Sequence, residues 1–408
     1  MYNTVTLNNG LRVIHRCCNS PIVYCGYQIA AGARDEMTGD EGLAHFCEHM
    51  TFKGTARRNH LQIINALEKV GGELNAFTGK DTTVYHSAIL KEHLPKAVDL
   101  LTDIVFHSTY PENETEKEIE VICDEIESYN DSPAELIYDE FENIIFDRHP
   151  LGHNILGSQE NVRRFTHDDA MRFTRRHYTP QNAVFFCYGD VSFSRLCRLL
   201  EKQDWQRESD GAVAENPSAP EMPRRIKQTV TRDMDTHQAH VMIGTRAYSV
   251  HDKKRMALYL LNNIIGGPGM NARLNISLRE KHGLVYTVES SMVSYSDTGI
   301  WSTYFGCDPK DVNTCLRLVR RELDRLMQRP LSEAQLKAAK RQIKGQIALA
   351  CDSHENFALD FGKSFLHYGW EKDIETLYRN IEELTSRELQ QVAQEIFDEN
   401  ILTTLIYK

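Results

Sequence analysis

Residues 42–50 read Gly-Leu-Ala-His-Phe-Cys-Glu-His-Met and contain the pattern H-x-x-E-H at His45, Glu48 and His49. Side chains four residues apart lie on one face of a helix, so the two imidazoles can reach a single point. Neutral imidazoles are good zinc ligands, and a neighbouring carboxylate that does not bind the metal can accept a proton from water. The segment therefore predicts a zinc-binding helix with Glu48 as the catalytic base. A helix with two ordinary hydrogen-bonded histidines is the alternative, and a third ligand elsewhere in the chain would decide between them.

A long acidic helix is predicted over residues 112–129, and it offers several carboxylates as the third ligand. A catalytic zinc usually has three protein ligands and one open position. Helical periodicity places Glu118 and Glu125 on one face, with apolar residues between them. Periodicity alone leaves Glu125, Glu118 and Glu127 as candidates. A solvated acidic helix is the alternative to a metal site.

Composition indicates a globular protein of two to three domains. The 408 residues include 47 Lys and Arg against 58 Asp and Glu, which gives a net charge of -11. No face dense in Lys or Arg is apparent, which argues against nucleic-acid binding. We find neither a signal peptide nor an apolar run of membrane-spanning length, and the ten cysteines form no C-x-x-C pair. These observations predict a cytoplasmic protein that keeps its thiols reduced and does not enter a membrane.

A change of composition near the middle of the chain predicts two domains. Residues 206–224 are rich in Ser, Asp, Gly, Ala, Asn and Pro and are predicted to form a linker. Residues 1–205 would form the domain with the zinc-binding helix, and residues 225–408 would form the second domain. Clusters of strands accompanied by helices predict the α+β class in each, with a mostly antiparallel sheet and helices packed on one side.

The segment from Gly42 to Thr55 resembles the zinc motif of the pitrilysin family, which includes insulin-degrading enzyme and the mitochondrial processing peptidases. Members carry H-x-x-E-H and, roughly seventy-five residues later, a glutamate ligand. This resemblance implies Glu125 as the third zinc ligand and Glu118 as an acid that supports the ligands. Asp124 stands where a glutamate is more usual, a mild departure away from the metal.

The resemblance extends to the residues that would handle a peptide. The stretch Asn75-Ala76-Phe77-Thr78 resembles the family's substrate strand, to which an extended peptide adds by backbone pairing, and Asn75, Ala76 and Phe77 are its implied substrate-binding residues. Arg279 and Tyr286 match an Arg/Tyr pair that the resemblance implies for holding the substrate carbonyl and steadying the developing oxyanion. Without the resemblance, Asn75 reads as a turn residue, and the pair reads as a surface arginine and a strand-starting tyrosine.

The resemblance implies a zinc endopeptidase that binds one Zn²⁺ per chain and cleaves extended or unstructured peptides. The chain has half the size of the long family members, so the resemblance implies that two chains form a clamshell dimer. A homodimer is expected, and a heterodimer is the alternative. Arg279 and Tyr286 would then act on the partner's zinc site. Two other functions remain open: a non-catalytic or partner-dependent subunit, and a peptide-binding protein with a structural zinc.

Overall fold

The structure is a computed structural model that describes residues 1–205, 222–234, 236–369 and 373–408. Its strands are β1 (Tyr2–Thr6), β2 (Arg12–Arg16), β3 (Ile22–Ile29), β4 (Glu73–Thr78), β5 (Thr83–Leu90), β6 (Ala183–Tyr188), β7 (Gln228–Arg232), β8 (Ala239–Ala247), β9 (Val285–Ser294), β10 (Gly299–Cys307) and β11 (Thr403–Tyr407). Its α-helices are α1 (Leu43–Thr51), α2 (His60–Glu68), α3 (Leu94–His107), α4 (Glu112–Asn130), α5 (Pro133–Ile145), α6 (Gln159–Val162), α7 (His167–His177), α8 (Phe193–Glu201), α9 (Arg255–Gly266), α10 (Val312–Gln328), α11 (Glu333–Asp352), α12 (His354–Tyr368), α13 (Ile374–Glu383) and α14 (Ser386–Ile396). A short π-type helix covers Asn275–Glu280.

The chain divides into two compact units, each discontinuous in sequence. Unit 1 comprises residues 1–128, 153–220 and 350–372, and unit 2 comprises residues 129–152, 221–349 and 373–408. A single linker at 206–224 would place 129–152 in the first domain and 350–372 in the second, so the units differ from the predicted boundaries in these two segments. Most of that predicted linker, residues 206–221, lies outside the described residues.

Unit 1 contains a six-stranded mixed sheet in the order β1-β2-β6-β3-β5-β4. Strands β2 and β6 are parallel, and the other neighbours are antiparallel. β6 consists of apolar and aromatic residues that are buried throughout, as expected for a central strand covered on both faces. β4 lies at one end of the order, so one of its edges is not paired within the sheet.

Helices cover both faces of the unit 1 sheet. Phe185 on β6 contacts Tyr27, which contacts Phe106 on α3, whereas the next residue, Phe186, contacts Phe361 on α12. Because neighbouring residues of a strand point to opposite faces, α3 and α12 lie on opposite sides of the sheet. α12 belongs to the segment 350–372. The prediction placed helices on one side only and did not include this second layer.

Unit 2 repeats the arrangement with a five-stranded mixed sheet in the order β7-β11-β8-β10-β9. Strands β7 and β11 are parallel, and the three pairs that follow them in this order are antiparallel. The sheet of unit 1 has the same sequence of pairings once its first strand, β1, is left out. Trp301 on β10 packs on Phe397, while Tyr304 belongs to a core with Ile137 and Phe141 of α5. Both units are therefore α+β and share one sheet topology, which confirms the predicted fold class.

Two further predictions concern the whole chain. All ten cysteines are free thiols, as their scattered spacing indicated. Within the described residues, no helix combines the length and the apolar character needed to cross a bilayer.

Candidate metal centre

A buried carboxylate holds the start of α1. The Glu36 side chain, which is fully buried, accepts hydrogen bonds from the backbone nitrogens of Gly42 at 3.0 Å and Ala44 at 2.7 Å. His153 Nε2 lies 2.9 Å from the same carboxylate. The first nitrogens of a helix lack partners within the helix, so Glu36 supplies acceptors for two of them. Gly42 has a φ of 101°, and a side chain there would meet the backbone of Leu156, so glycine is required.

His45 and His49 project from α1 toward Glu125 on α4. Their ring centroids are 4.5 Å apart, and Glu125 Oε2 lies 3.8 Å from His45 Nε2 and 3.4 Å from His49 Nε2. One ligand atom from each of the three residues falls within 4.8 Å of the others. Tetrahedral coordination of zinc at ordinary bond lengths separates neighbouring ligand atoms by about 3.4 Å. This donor set therefore fits a zinc ion.

Glu118 orients one of the two imidazoles. Its Oε1 lies 3.0 Å from His49 Nδ1, and the ammonium of Lys53 contacts its other oxygen. A proton on Nδ1 shared with a carboxylate leaves the Nε2 lone pair free for a metal, which is the usual support of a zinc-binding histidine. Burial alone would lower the pKa of His49, yet hydrogen bonds to Glu118 and Glu125 raise this pKa to about 9, so zinc binding would have to displace a proton from Nε2. Burial and the neighbouring His49 lower the pKa of His45 to about 4, which keeps that ring neutral.

Glu48 lies beside the donor set and contacts the end of β4. Thr78 Oγ1 donates a hydrogen bond of 2.6 Å to Glu48 Oε2. Burial raises the pKa of Glu48, and the hydrogen bond from Thr78 opposes that rise. A carboxylate with a raised pKa is better matched to accepting and returning a proton near neutral pH.

The predicted substrate strand is the edge strand β4. Asn75 is exposed, Ala76 is half-buried, and Phe77 is 44% exposed and stacks edge-on against His86 at 6.1 Å. A cleft of about 420 Å³ adjoins this strand, lined among others by Glu48, His49, Phe52, Leu74, Asn75 and Ala76. The open backbone edge and the cleft lie next to the candidate metal centre.

Arg279 and Tyr286 lie in unit 2 and contact each other. Arg279 is on the π-type helix, Tyr286 is near the start of β9, and the guanidinium carbon lies 5.8 Å from the tyrosine ring centroid. Tyr286 is 82% exposed. The structure thus brings this pair together in unit 2, and it gathers His45, His49, Glu48, Glu125, Glu118 and the strand 75–77 in unit 1.

Four residues of the centre had no predicted role: Glu36, Lys53, Thr78 and His153. Glu36 contacts backbone nitrogens that follow it by 6 and 8 residues, and it contacts the side chain of His153, which follows it by 117 residues. No spacing rule marks such contacts. Thr78 is the last residue of the stretch that resembles the substrate strand, and the alternation of β4 could have placed it on the same face as Ala76.

A His-His-Glu donor set on an H-x-x-E-H helix, with a separate carboxylate beside it, is typical of zinc metallopeptidases with the inverted motif. Residues 12–159 match the family described as Insulinase (Peptidase family M16), and residues 164–343 match the Peptidase M16 inactive domain. The chain belongs to peptidase family M16.

Several relatives span nearly the whole chain. An Uncharacterized zinc protease, YmxG, of Bacillus subtilis (strain 168) is 31% identical over 100% of this chain and 98% of its own length. The Mitochondrial-processing peptidase subunit beta of Bos taurus is 30% identical over 97% of this chain and 82% of its own. The crystal structure of a protease from Helicobacter pylori has a TM-score of 0.93 at 23% identity, covering 100% of this chain and 99% of that one. This structural likeness supports the fold, and the two sequence relatives support the family.

Proposed function

We propose that this protein is a zinc-dependent endopeptidase that hydrolyses extended or unstructured peptides. The observation that carries the proposal is the convergence of His45, His49 and Glu125, with the buried carboxylate of Glu48 beside them but outside the donor set. A structural zinc usually has four protein ligands, whereas a set of three leaves one position open for chemistry.

The roles of the side chains follow from their positions. A zinc ion held by His45, His49 and Glu125, one per chain, would polarise the scissile carbonyl and acidify water at the site. Glu48 accepts the proton of the attacking water and returns it to the leaving amine. The hydrogen bond from Thr78 fixes one oxygen of Glu48.

The substrate binds as an added strand along β4. The free edge of β4 offers its backbone groups to an extended peptide, with Asn75 holding the peptide main chain and the segment from Ala76 to Phe77 continuing the pairing. A substrate side chain beside the scissile bond would enter the cleft between Glu48, Phe52 and Leu74. Because a strand must be extended to add to a sheet, unstructured peptides are the expected substrates.

Arg279 and Tyr286 hold the substrate carbonyl and stabilise the oxyanion, and they do so in the active site of a partner chain. This part of the proposal rests on the family resemblance and on the exposure of Tyr286. One chain carries both the H-x-x-E-H motif and the Arg/Tyr pair, so a homodimeric clamshell would contain two complete sites. A partner-dependent subunit is the second candidate, and the presence of every metal-binding residue in this chain argues against it.

Cleavage of a mixture of unstructured peptides, with and without a chelator, tests the proposal. We expect cleavage that the chelator abolishes, that added zinc restores, and that Glu48→Gln lacks although this variant binds zinc. Asp124→Asn, an exposed change on α4 beside Glu125, is the matched control and should retain activity. Zinc binding without cleavage would instead favour the partner-dependent subunit, and failure to bind zinc would refute the site.

A further inference from the structure

The side of α1 that faces away from the imidazoles carries one side-chain hydroxyl, that of Thr51. At about 100° per residue, Thr51 lies about 200° around the helix from His49 and about 240° from His45. It is fully buried, and its Oγ1 donates a hydrogen bond of 2.7 Å to the carbonyl oxygen of Cys47. Thr51 therefore gives α1 a polar contact on the side opposite the proposed metal.

Two tyrosines extend this contact into the core of unit 1. The hydroxyl of Tyr85 on β5 lies 3.1 Å from Thr51 Oγ1 and 3.0 Å from the hydroxyl of Tyr178, and both tyrosines are fully buried. Thr51 has one proton, which the Cys47 carbonyl accepts, so Tyr85 must donate to Thr51. Tyr178 must then donate to Tyr85. Each hydroxyl thus has the hydrogen-bond partner that a buried polar group requires.

These hydrogen bonds restrict the rotation of α1 about its own axis more tightly than apolar contacts can. Most other core-facing side chains of α1 are apolar, and hydrophobic contact has no preferred direction. A hydrogen bond, in contrast, weakens steeply when its angle changes. A rotation of α1 by about 10° would move side-chain ends near the helix surface by about 1 Å. A metal site tolerates displacements of only about 0.5 Å.

We infer that Tyr85 is a positioning residue that holds α1 in the rotation at which its two histidines face Glu125. In the part of the chain that the structure describes, the Tyr85 hydroxyl bonds to Thr51 and Tyr178 and to no member of the donor set. The Glu36 carboxylate holds the first turn of α1, and Tyr85 holds the last. This role of Tyr85 rests on the metal centre of the proposed function and does not require peptide cleavage.

The neighbouring tyrosine on the same sheet provides a matched control. Tyr27 on β3 is the cross-strand partner of Tyr85 and is equally buried. Its hydroxyl lies 2.8 Å from Thr102 Oγ1 on α3, and Thr102 donates a hydrogen bond of 2.7 Å to the carbonyl oxygen of Val98. The two arrangements are alike, but α3 carries none of the proposed zinc ligands.

Zinc affinity, measured by competition with a chromophoric chelator, tests the inference in Tyr85→Phe and Tyr27→Phe. Each variant loses one buried hydroxyl, so we expect similar losses of thermal stability. Only Tyr85→Phe should bind zinc more weakly, by about threefold to tenfold. The same variant alone should alter the absorption spectrum of the cobalt-substituted protein. Thr51→Ser keeps the hydroxyl and should retain most of the zinc affinity, whereas Thr51→Val should match Tyr85→Phe.

Two results would overturn the inference. One is an equal zinc affinity in Tyr85→Phe and the wild type, and the other is an equal loss in both tyrosine variants, which would indicate general loosening of the core. Failure of the wild type to bind zinc would instead refute the donor set, and the role of Tyr85 with it. If Tyr85→Phe impairs folding, Thr51→Val with Thr102→Val as its control provides the same comparison.

Discussion

Thr78 at the end of β4 donates a hydrogen bond of 2.6 Å to Glu48 in the middle of α1. The bond joins the edge strand proposed to bind the peptide to the carboxylate proposed to move the proton. Movement of β4 on substrate binding would therefore change the position of the Glu48 carboxylate.

Replacing Thr78 by valine tests this connection, because valine keeps the shape and removes the donor. A hydrogen bond to a charged group contributes about 1.5 kcal/mol, so we expect kcat to fall about tenfold. Zinc content should not change. Thr78→Ser retains the hydroxyl and should recover most of the rate; equal rates for Val and wild type would show that the bond does not position Glu48.

Zinc analysis of three glutamine variants on α4 distinguishes a ligand from its support. Glu125→Gln should lose stoichiometric zinc, and Glu118→Gln should bind zinc about 10–100-fold more weakly because His49 is no longer oriented. Glu127→Gln, an exposed change on the same helix, is the control and should match the wild type. Full zinc retention by Glu125→Gln would remove it from the ligand set.

Glu36→Ala should destabilise the protein by about 2–4 kcal/mol, since two backbone donors of α1 and His153 lose a buried acceptor. Denaturant unfolding measures this change. Glu112→Ala, which removes an exposed glutamate from the start of α4, should cost much less. Similar losses in the two variants would mean that Glu36 does not anchor the helix.

His177 should make stability depend on pH. Burial and the adjacent Arg176 lower the pKa of His177 to about 4, against an ordinary value of 6.5. Between pH 6.5 and pH 4 the unfolded chain therefore binds a proton at His177 that the folded chain does not bind. The contribution of His177 to stability is fully present above pH 6.5 and is lost as the pH falls toward 4. Between pH 7 and pH 5 the loss amounts to about 2 kcal/mol. We expect the free energy of unfolding of His177→Leu to fall less between pH 7 and pH 5 than that of the wild type, by about 2 kcal/mol. Equal falls in the variant and the wild type would contradict the lowered pKa of His177.

Mixing two inactive variants tests action across a dimer. If Arg279 and Tyr286 serve the partner's zinc site, a Glu48→Gln chain paired with a Tyr286→Phe chain rebuilds one site free of both changes. Random pairing of equal amounts should then restore about a quarter of the wild-type activity. Each variant alone is the control, and a mixture no more active than its components would argue against action in trans.

Much of the local structure could be predicted because it depends on short-range pattern. The helix predicted over 112–129 is observed at Glu112–Asn130. β7 was not predicted, since its polar, half-exposed residues carry little hydrophobic signal.

The sequence by itself determined the paired histidines, because a spacing of four on a helix is a local property. Helical spacing alone left Glu118, Glu125 and Glu127 as candidates, because all three lie on one helix and spacing does not reveal which of them faces α1; only the family resemblance favoured Glu125. Tertiary packing decided this: Glu125 approaches both imidazoles, Glu118 approaches His49 and Lys53, and Glu127 is exposed. Contacts such as Thr78 with Glu48, or Glu36 with His153, also arise only when distant segments are brought together by burial of a shared core.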